Sequence, residues 1–330
     1  MTGAGEVAQD TIASQIGLGD LSQPARVRSL WRDAMRRLLK NRLAVAGLAV
    51  VLLFLFAAAF GPYITPYDFL AQNVKEALQP ASARHLMGTD PLGRDIFSRI
   101  LYGARTAFLV GFTATAISLT IGILLGSLAG FMGGRVDSFI MWLTDITMSI
   151  PGILLAMVVS TALKRPIAAW FERMYMQTRH PFYLNTLWLD FVLVFGALAF
   201  ISWPGYCRLI RGQVLSLQKL LYVEAARMVG GRTSHIILRH LIPNAIGPVV
   251  VAVTAGIGGA ILLESSLSFL GVGVQPPNAS WGSMLNNSLS LWRTYPHLMV
   301  YPAVTIGVIQ ISFTFLGDGL NDALNPRQTR

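Results

Sequence analysis

Apolar residues run in long blocks along this chain. Between Arg42 and Asp68 there is no charge, and the stretch LAVAGLAVVLLFLFAAAF fills most of the interval. A helix needs about 20 mostly apolar residues to cross a bilayer, so this block predicts a first span at 43–62. The same criterion predicts five more, at 106–130, 138–161, 190–208, 244–268 and 298–317. The third carries Asp145 and Pro151, the fifth Glu264. Shorter patterns lie between the blocks. Thr89-Asp90-Pro91 reads as a helix start, with Asp90 capping and Pro91 in the first turn. Ile96, Phe97, Ile100 and Leu101 then share one helical face, an amphipathic helix feeding span two. Leu217, Leu220, Leu221, Ala225 and Met228 fall at helical spacings. Gly230-Gly231 can close that helix, and Thr233 or Ser234 can open a second one through Ile236, Ile237 and Leu241 to Pro243. The segment 209–243 is therefore expected to be a helix-turn-helix between spans four and five.

Composition sharpens the class. Of 330 residues, 53% are hydrophobic and 13% charged, against about 25% charged in a soluble domain. The mean hydropathy is +0.55. So little polar surface cannot cover a soluble globule, and so much apolar surface excludes disorder. The fold expected is an all-α integral membrane protein with six transmembrane helices. The formal charge is +10, and in a membrane protein such excess marks cytoplasmic loops rather than a nucleic-acid partner. Arg26, Arg28, Arg32, Arg36, Arg37, Lys40 and Arg42 all precede span one, which places both termini in the cytoplasm. Arg36-Arg37 before an apolar run resembles a twin-arginine signal, but the run exceeds a signal core and five spans follow. It reads as an uncleaved helix. The expected division is a cytoplasmic tail at 1–42, the first span and a long external loop at 43–105, a transmembrane core at 106–320 and a short cytoplasmic tail at 321–330.

Little in the chain suggests catalysis. The single Cys207 excludes an internal disulfide. No Lys follows a Gly, so no phosphate-binding loop is present. The five His residues lack metal-ligand spacing, and His235 and His240, five apart, sit poorly on one α-helical face. No serine sits in a nucleophile elbow. Intramembrane carboxylates are costly and thus functional candidates, which singles out Asp145 and Glu264. Glu264, beside Ser265 and Ser266, also fits a structural, hydrogen-bonded role. Gly122, Gly126 and Gly130 form a small-residue ladder suited to close helix packing. A helix-turn-helix suggests DNA binding, yet one tethered between two spans fits a docking element for a cytoplasmic protein better.

At that element the residues become recognisable. Glu224-Ala225-Ala226, then Gly230, then Leu241-Ile242-Pro243, resembles the EAA loop of ABC importer permeases, with His240 where the family often has Ile. MGTDPLGRDIFSRILYGARTAF at 87–108, LLESSLSFLGVGVQPPNASWGSML at 262–285 and FLGDGLNDALNPR at 315–327 resemble the dipeptide/oligopeptide/nickel permease subfamily. The resemblance implies a type I importer fold in the inner membrane of a prokaryote. It implies a heterodimer with a second homologous permease, two cytoplasmic ATPase subunits that use ATP and Mg, and an external solute-binding protein. This chain itself would bind no cofactor. It also implies that Glu224, Ala225, Ala226, Gly230 and Pro243 couple to the ATPases, and that the solute is a di- or oligopeptide, with nickel and other solutes as alternatives. An ion-coupled secondary transporter is the reading that would need no ATPase. The external stretch 162–188 is longer than the subfamily usually has. Its Lys164, Arg165, Arg173 and Arg179 are interleaved with Trp170, Phe171, Tyr175, Phe182, Tyr183 and Trp188. That mixture suits an interfacial belt or a docking rim for the binding protein.

Overall fold

The computed structural model describes residues 30–184, 186–275 and 277–324. Residues 1–29 and 325–330, with Arg26, Arg28 and the end of the last motif, lie outside the described residues, as do Pro276 and the side chain of Trp188. Among the described residues the regular elements are helical, apart from one bridge pair between Thr89 and Asp95. They are α1 (Leu30–Lys40), α2 (Arg42–Ile64), α3 (Ile96–Met132), α4 (Gly134–Ser149), α5 (Gly152–Thr178), α6 (Thr186–Leu217), α7 (Leu221–Met228), α8 (Thr233–Ile236), α9 (Ile246–Phe269), α10 (Trp281–Ser288) and α11 (His297–Leu324). Six are long and apolar enough to span a membrane: α2, α3, α5, α6 from Leu189, α9 and α11.

Two boundaries differ from the sequence reading. The stretch 138–161 is not one span. The residue before a proline is pushed out of the α region, and Pro lacks the N–H that would continue the ladder. Ile150 is accordingly extended and Pro151 opens a new helix. Asp145 therefore lies in α4, outside the candidate spans, and the third span becomes α5. The stretch 162–188 is likewise no open loop: α5 continues through it to Thr178, and a 3₁₀ turn at Pro181–Leu184 leads into α6. At about 1.5 Å per residue, the 27 residues of α5 reach about 40 Å, beyond the roughly 30 Å of a hydrocarbon core.

The amphipathic outer helix and span two are one helix of 37 residues, and it is capped by Asp95, not Asp90. The Asp90 carboxylate is already engaged by the Leu92 and Arg94 N–H groups at 2.9 and 3.0 Å. Asp95, five residues on, accepts from Ser98 N–H at 2.8 Å.

The main core joins α1, α2, α3, α9, α10 and α11 through residues such as Phe108, Ile261, Trp281 and Phe313. A second cluster, with Val110, Leu198 and Leu267, joins α3, α5, α6 and α9. Between α3 and α6 the approach is closest. Gly122, Gly126 and Gly130 face Tyr206, Cys207, Ile210 and Val214, and a side chain at any of the three would collide with α6. Small residues are what let two helices meet at this distance where lipid offers no hydrophobic drive.

Candidate functional site

Beyond the end of α6 the chain turns back over it. Val223 on α7, Ile236, and Ile237 and Leu241 of the following turn pack on Ile210 and Val214 of α6. This small apolar core anchors the segment from beneath. Its opposite face is open: Leu221, Met228 and Val229 are 82%, 88% and 89% exposed. The sequence stripe through Leu221 and Met228 thus faces outward, and Val223, off that stripe, faces in. A helix that is apolar on both sides has one side packed on its own fold and a second side without a partner among the described residues.

The end of α7 is rigidly formed. Gly230 has φ +82°, which only a residue without Cβ adopts at low cost. Gly231 N–H donates to Ala226 C=O at 2.9 Å and Gly230 N–H to Arg227 C=O at 2.9 Å, the paired bonds of a Schellman cap. The Arg227 guanidinium lies 4.4 Å from the centre of the Phe131 ring at the end of α3, within cation–π range. It also donates to Gln218 at 3.3 Å. Glu224 and Ala225 are exposed and Ala226 half-buried. The Glu224 side chain makes no hydrogen bond or ion pair with the described residues. Pro243 is exposed in the turn Ile242–Asn244 that precedes α9.

After α8 the backbone winds as a π-helix over Ile237–Leu241. A π turn brings residues five apart onto one face. His235 and His240 consequently stack edge-on with ring centroids 5.8 Å apart, contrary to the α-helical expectation, and Tyr222 lies 6.2 Å from His240. No group of three metal-ligating side chains converges here or elsewhere among the described residues.

Two ion pairs connect this segment to the rest through α6. Arg211 donates to Asp137 at 2.5 and 2.6 Å, which holds the Asp137 carboxyl below the usual carboxylate range. Arg208 pairs with Asp145 and donates to Thr144 at 3.2 Å. Asp145 is thus an exposed partner of Arg208 rather than an isolated intramembrane charge. α4, which carries both carboxylates, is bounded by Gly133 and Gly134, both at positive φ, and by the Ile150–Pro151 break. Sequence inspection missed these pairs. Their signal was two acids eight apart facing two arginines three apart.

At the other end of α6, Glu264 is buried and accepts hydroxyl hydrogen bonds from Ser268 at 2.7 Å, Ser280 at 2.8 Å and Ser265 at 3.3 Å. Next to Ser280, Trp281 donates its indole N–H to Ile100 C=O at 3.0 Å. The carboxylate thus ties α9 to the start of α10, and the Trp281 indole ties α10 to α3. Around the start of α3, Arg94 pairs with Asp90 at 2.6 Å, Arg99 lies 3.9 Å from the same carboxylate, and His85 meets Asp95 at 2.9 Å.

Known proteins share this chain's pattern. A family model described as the binding-protein-dependent transport system inner membrane component matches residues 122–330, and one described as the N-terminal TM domain of oligopeptide transport permease C matches residues 29–81. The oligopeptide transport system permease protein OppC of Bacillus subtilis (strain 168) is 36% identical over 299 residues, covering 91% of this chain and 90% of its own. The dipeptide transport system permease protein DppC of the same organism is 38% identical over 308 residues, covering 92% and 87%. The glutathione transport system permease protein GsiD of Pectobacterium atrosepticum is 38% identical over 305 residues, covering 91% and 92%.

Proposed function

The chain belongs to the family of binding-protein-dependent transport system inner membrane components, and from that premise we propose how its parts serve import. It is the permease subunit of an ABC importer, a multi-pass protein of a prokaryotic inner membrane. Its solute is a short peptide, a reading supported by relatives named for oligopeptides, dipeptides and glutathione. The chain pairs with a second homologous permease. α7 of each partner seats in one of two cytoplasmic ATPase subunits, which hold the ATP and Mg. A binding protein delivers the peptide to the opposite face. Both termini lie in the cytoplasm with α7.

One observation carries the coupling role: α7 is fixed from below by Val223 and Arg227 while Leu221, Met228 and Val229 stay uncovered. A short rigid helix held this way transmits a push from the ATPase to α6, and through Arg208 and Arg211 to α4. Ala225 and Ala226 allow close approach, and Glu224 is free to accept charged hydrogen bonds from the partner.

The test is reconstitution of this chain with its second permease, ATPases and binding protein in proteoliposomes. ATP-driven uptake of a radiolabelled tripeptide is expected. Uptake driven by an ion gradient without ATPase, or uptake of Ni²⁺ but no peptide, would overturn the reading. For orientation, a reporter fused after Arg330 should be cytoplasmic and one inserted near Gln177 external; the reverse labelling refutes the arrangement.

A further inference from the structure

Far from α7, a cavity of about 230 Å³ opens between α5, the start of α6 and the turn after α9, lined among others by Ser160, Lys164, Asp190, Leu193 and Gly271. Asp190 stands 27 residues before the end of α6 at Leu217, which at about 1.5 Å per residue puts roughly 40 Å between the cavity and the coupling segment. With α7 on the cytoplasmic side, as proposed above, the cavity lies toward the external face.

Its chemistry is unusual for this molecule. Lys164 and Asp190 both belong to span helices, where ionised side chains are rare and pair with each other or line a solvent-filled space. Here they do both, loosely. Lys164 Nζ is 3.7 Å from Asp190 Oδ1, well outside the distance of a charged hydrogen bond, and the Lys side chain is 52% exposed against 12% for Asp190. The other ion pairs of α6, Asp137–Arg211 and Asp145–Arg208, are in direct hydrogen-bond contact. The Ser160 hydroxyl lines the same cavity, is buried, and has no hydrogen-bond partner among the described residues. Ser118 and Thr305, by contrast, bond back to a carbonyl four residues earlier, whereas Ser160, like Ser98 and Ser127 on α3, is buried without a partner among the described residues. Of these three only Ser160 lines this cavity. A buried orphan hydroxyl carries a desolvation cost that a polar ligand would remove.

We propose that this cavity is a subsite for the charged termini of a peptide in transit: Asp190, with the Ser160 hydroxyl, takes the terminal ammonium, and Lys164 swings on its flexible stem to the carboxylate. The proposal rests on the peptide-import reading and adds the residues of this chain that read the zwitterion. A held carboxylate and a mobile ammonium, loosely paired, form a site that opens for a ligand bearing both opposite charges. A fully formed salt bridge would have to be broken first. The volume falls below the roughly 300 Å³ at which ligand pockets begin, which suits one end of a short peptide in a site that the second permease completes.

The experiment uses the assembled permease–ATPase complex in lipid nanodiscs without binding protein, and equilibrium binding of radiolabelled trialanine, N-acetyl-trialanine and trialanine amide. Wild type should prefer the free peptide over each blocked form by about tenfold, the scale of one charged hydrogen bond. Asp190→Asn should erase the preference against the acetylated peptide and keep that against the amide. Lys164→Gln should do the opposite. A pair that merely staples α5 to α6 predicts that both variants lower thermal stability alike and leave terminal preferences untouched, and that result overturns the proposal. So does a wild-type complex that binds no trialanine. If Asp190→Asn does not assemble, Lys164→Gln alone decides, since it leaves the buried carboxylate in place. Binding-protein-driven uptake of trialanine, run in parallel, separates the two readings. Uptake without terminal preference at the complex defeats the subsite alone, whereas no trialanine uptake defeats peptide import.

Discussion

The two ends of α6 are built on opposite rules. Near its start, the 65–95 loop, α9 and α10 close over buried charge: Asp90 with Arg94 and Arg99, Asp95 with His85, Glu264 with three serines. Every one of these polar groups finds its partner within the chain. At its other end, α7 buries one valine and exposes three large apolar side chains and a glutamate without a partner among the described residues. At the first end these charges are satisfied within the chain, whereas the second end leaves large apolar side chains uncovered among the described residues. On the proposed reading, the difference separates the part that holds the fold from the part that meets the ATPase. Substitutions at the first end should change folding, and those at the second should change assembly.

The largest effect expected is from Asp90→Ala. It leaves Arg94 and Arg99 buried without their carboxylate and frees two backbone N–H groups. Stranding a buried charge costs about 3–5 kcal/mol. The variant should accumulate poorly and unfold well below wild type in a detergent thermal-shift assay. Wild-type melting would show that this end is not the stabilising one.

Next comes the converse, Leu221→Ser with Met228→Ser. Surface changes of this kind move stability by less than about 0.5 kcal/mol, so melting should hold. Removing two apolar anchors from an interface costs about 1–2 kcal/mol, so ATPase binding should weaken about five- to thirtyfold and co-purification should fall accordingly. Retained ATPase binding together with lowered melting would invert the comparison.

How much of this contrast can be read from residues alone depends on range. The six spans are legible because a block of apolar residues is a local property, and Arg42–Ile64 and Ile246–Phe269 match their blocks within two residues. The break at Ile150–Pro151 was visible as a proline but lost in a hydrophobic average. Which side of α7 faces in was not legible, because periodicity marks one stripe and this helix is apolar on two sides. The stripe through Leu221 and Met228 is the exposed side and Val223 the buried one. The Lys164–Asp190, Asp137–Arg211 and Asp145–Arg208 pairs join residues 26 to 74 positions apart, and no local pattern reports such distances. The family motifs did locate both ends, since each end needs several particular side chains close together in sequence.

A smaller effect tests the rigidity of α7 rather than its surface. A Cβ at Gly230 meets no neighbouring atom, so Gly230→Ala probes only the backbone at φ +82°. The expected cost is about 1 kcal/mol, read as faster amide exchange over 221–231 and a few-fold loss of coupled transport with ATPase still bound. Unchanged exchange would mean that the cap is not what stiffens the helix.

The smallest effect concerns the tip of the α5–α6 hairpin, where the chain meets water beyond the first end of α6. Phe171 is buried there against Leu189 and Leu193, with Tyr183 packed alongside, while Arg173 and Arg179 are exposed. The aromatic residues thus hold the tip together, and the basic residues are left to face whatever arrives. Charge at an interface rim steers encounter more than it holds a complex, and salt screens it within about 10 Å. Neutralising both, Arg173→Gln with Arg179→Gln, should slow binding-protein association a few-fold at low salt and hardly at all at high salt. Dissociation, membrane insertion and basal ATPase activity should stay as they are, because neither guanidinium is buried. If the tip is instead only a lipid-interface belt, association will be identical for both proteins at both salt concentrations. Truncating Trp170, which is exposed and packs edge-on against Phe171, should then be the change that loosens the hairpin. The paired measurement therefore decides whether the first end of α6 also carries a docking surface, or whether interface building is confined to α7.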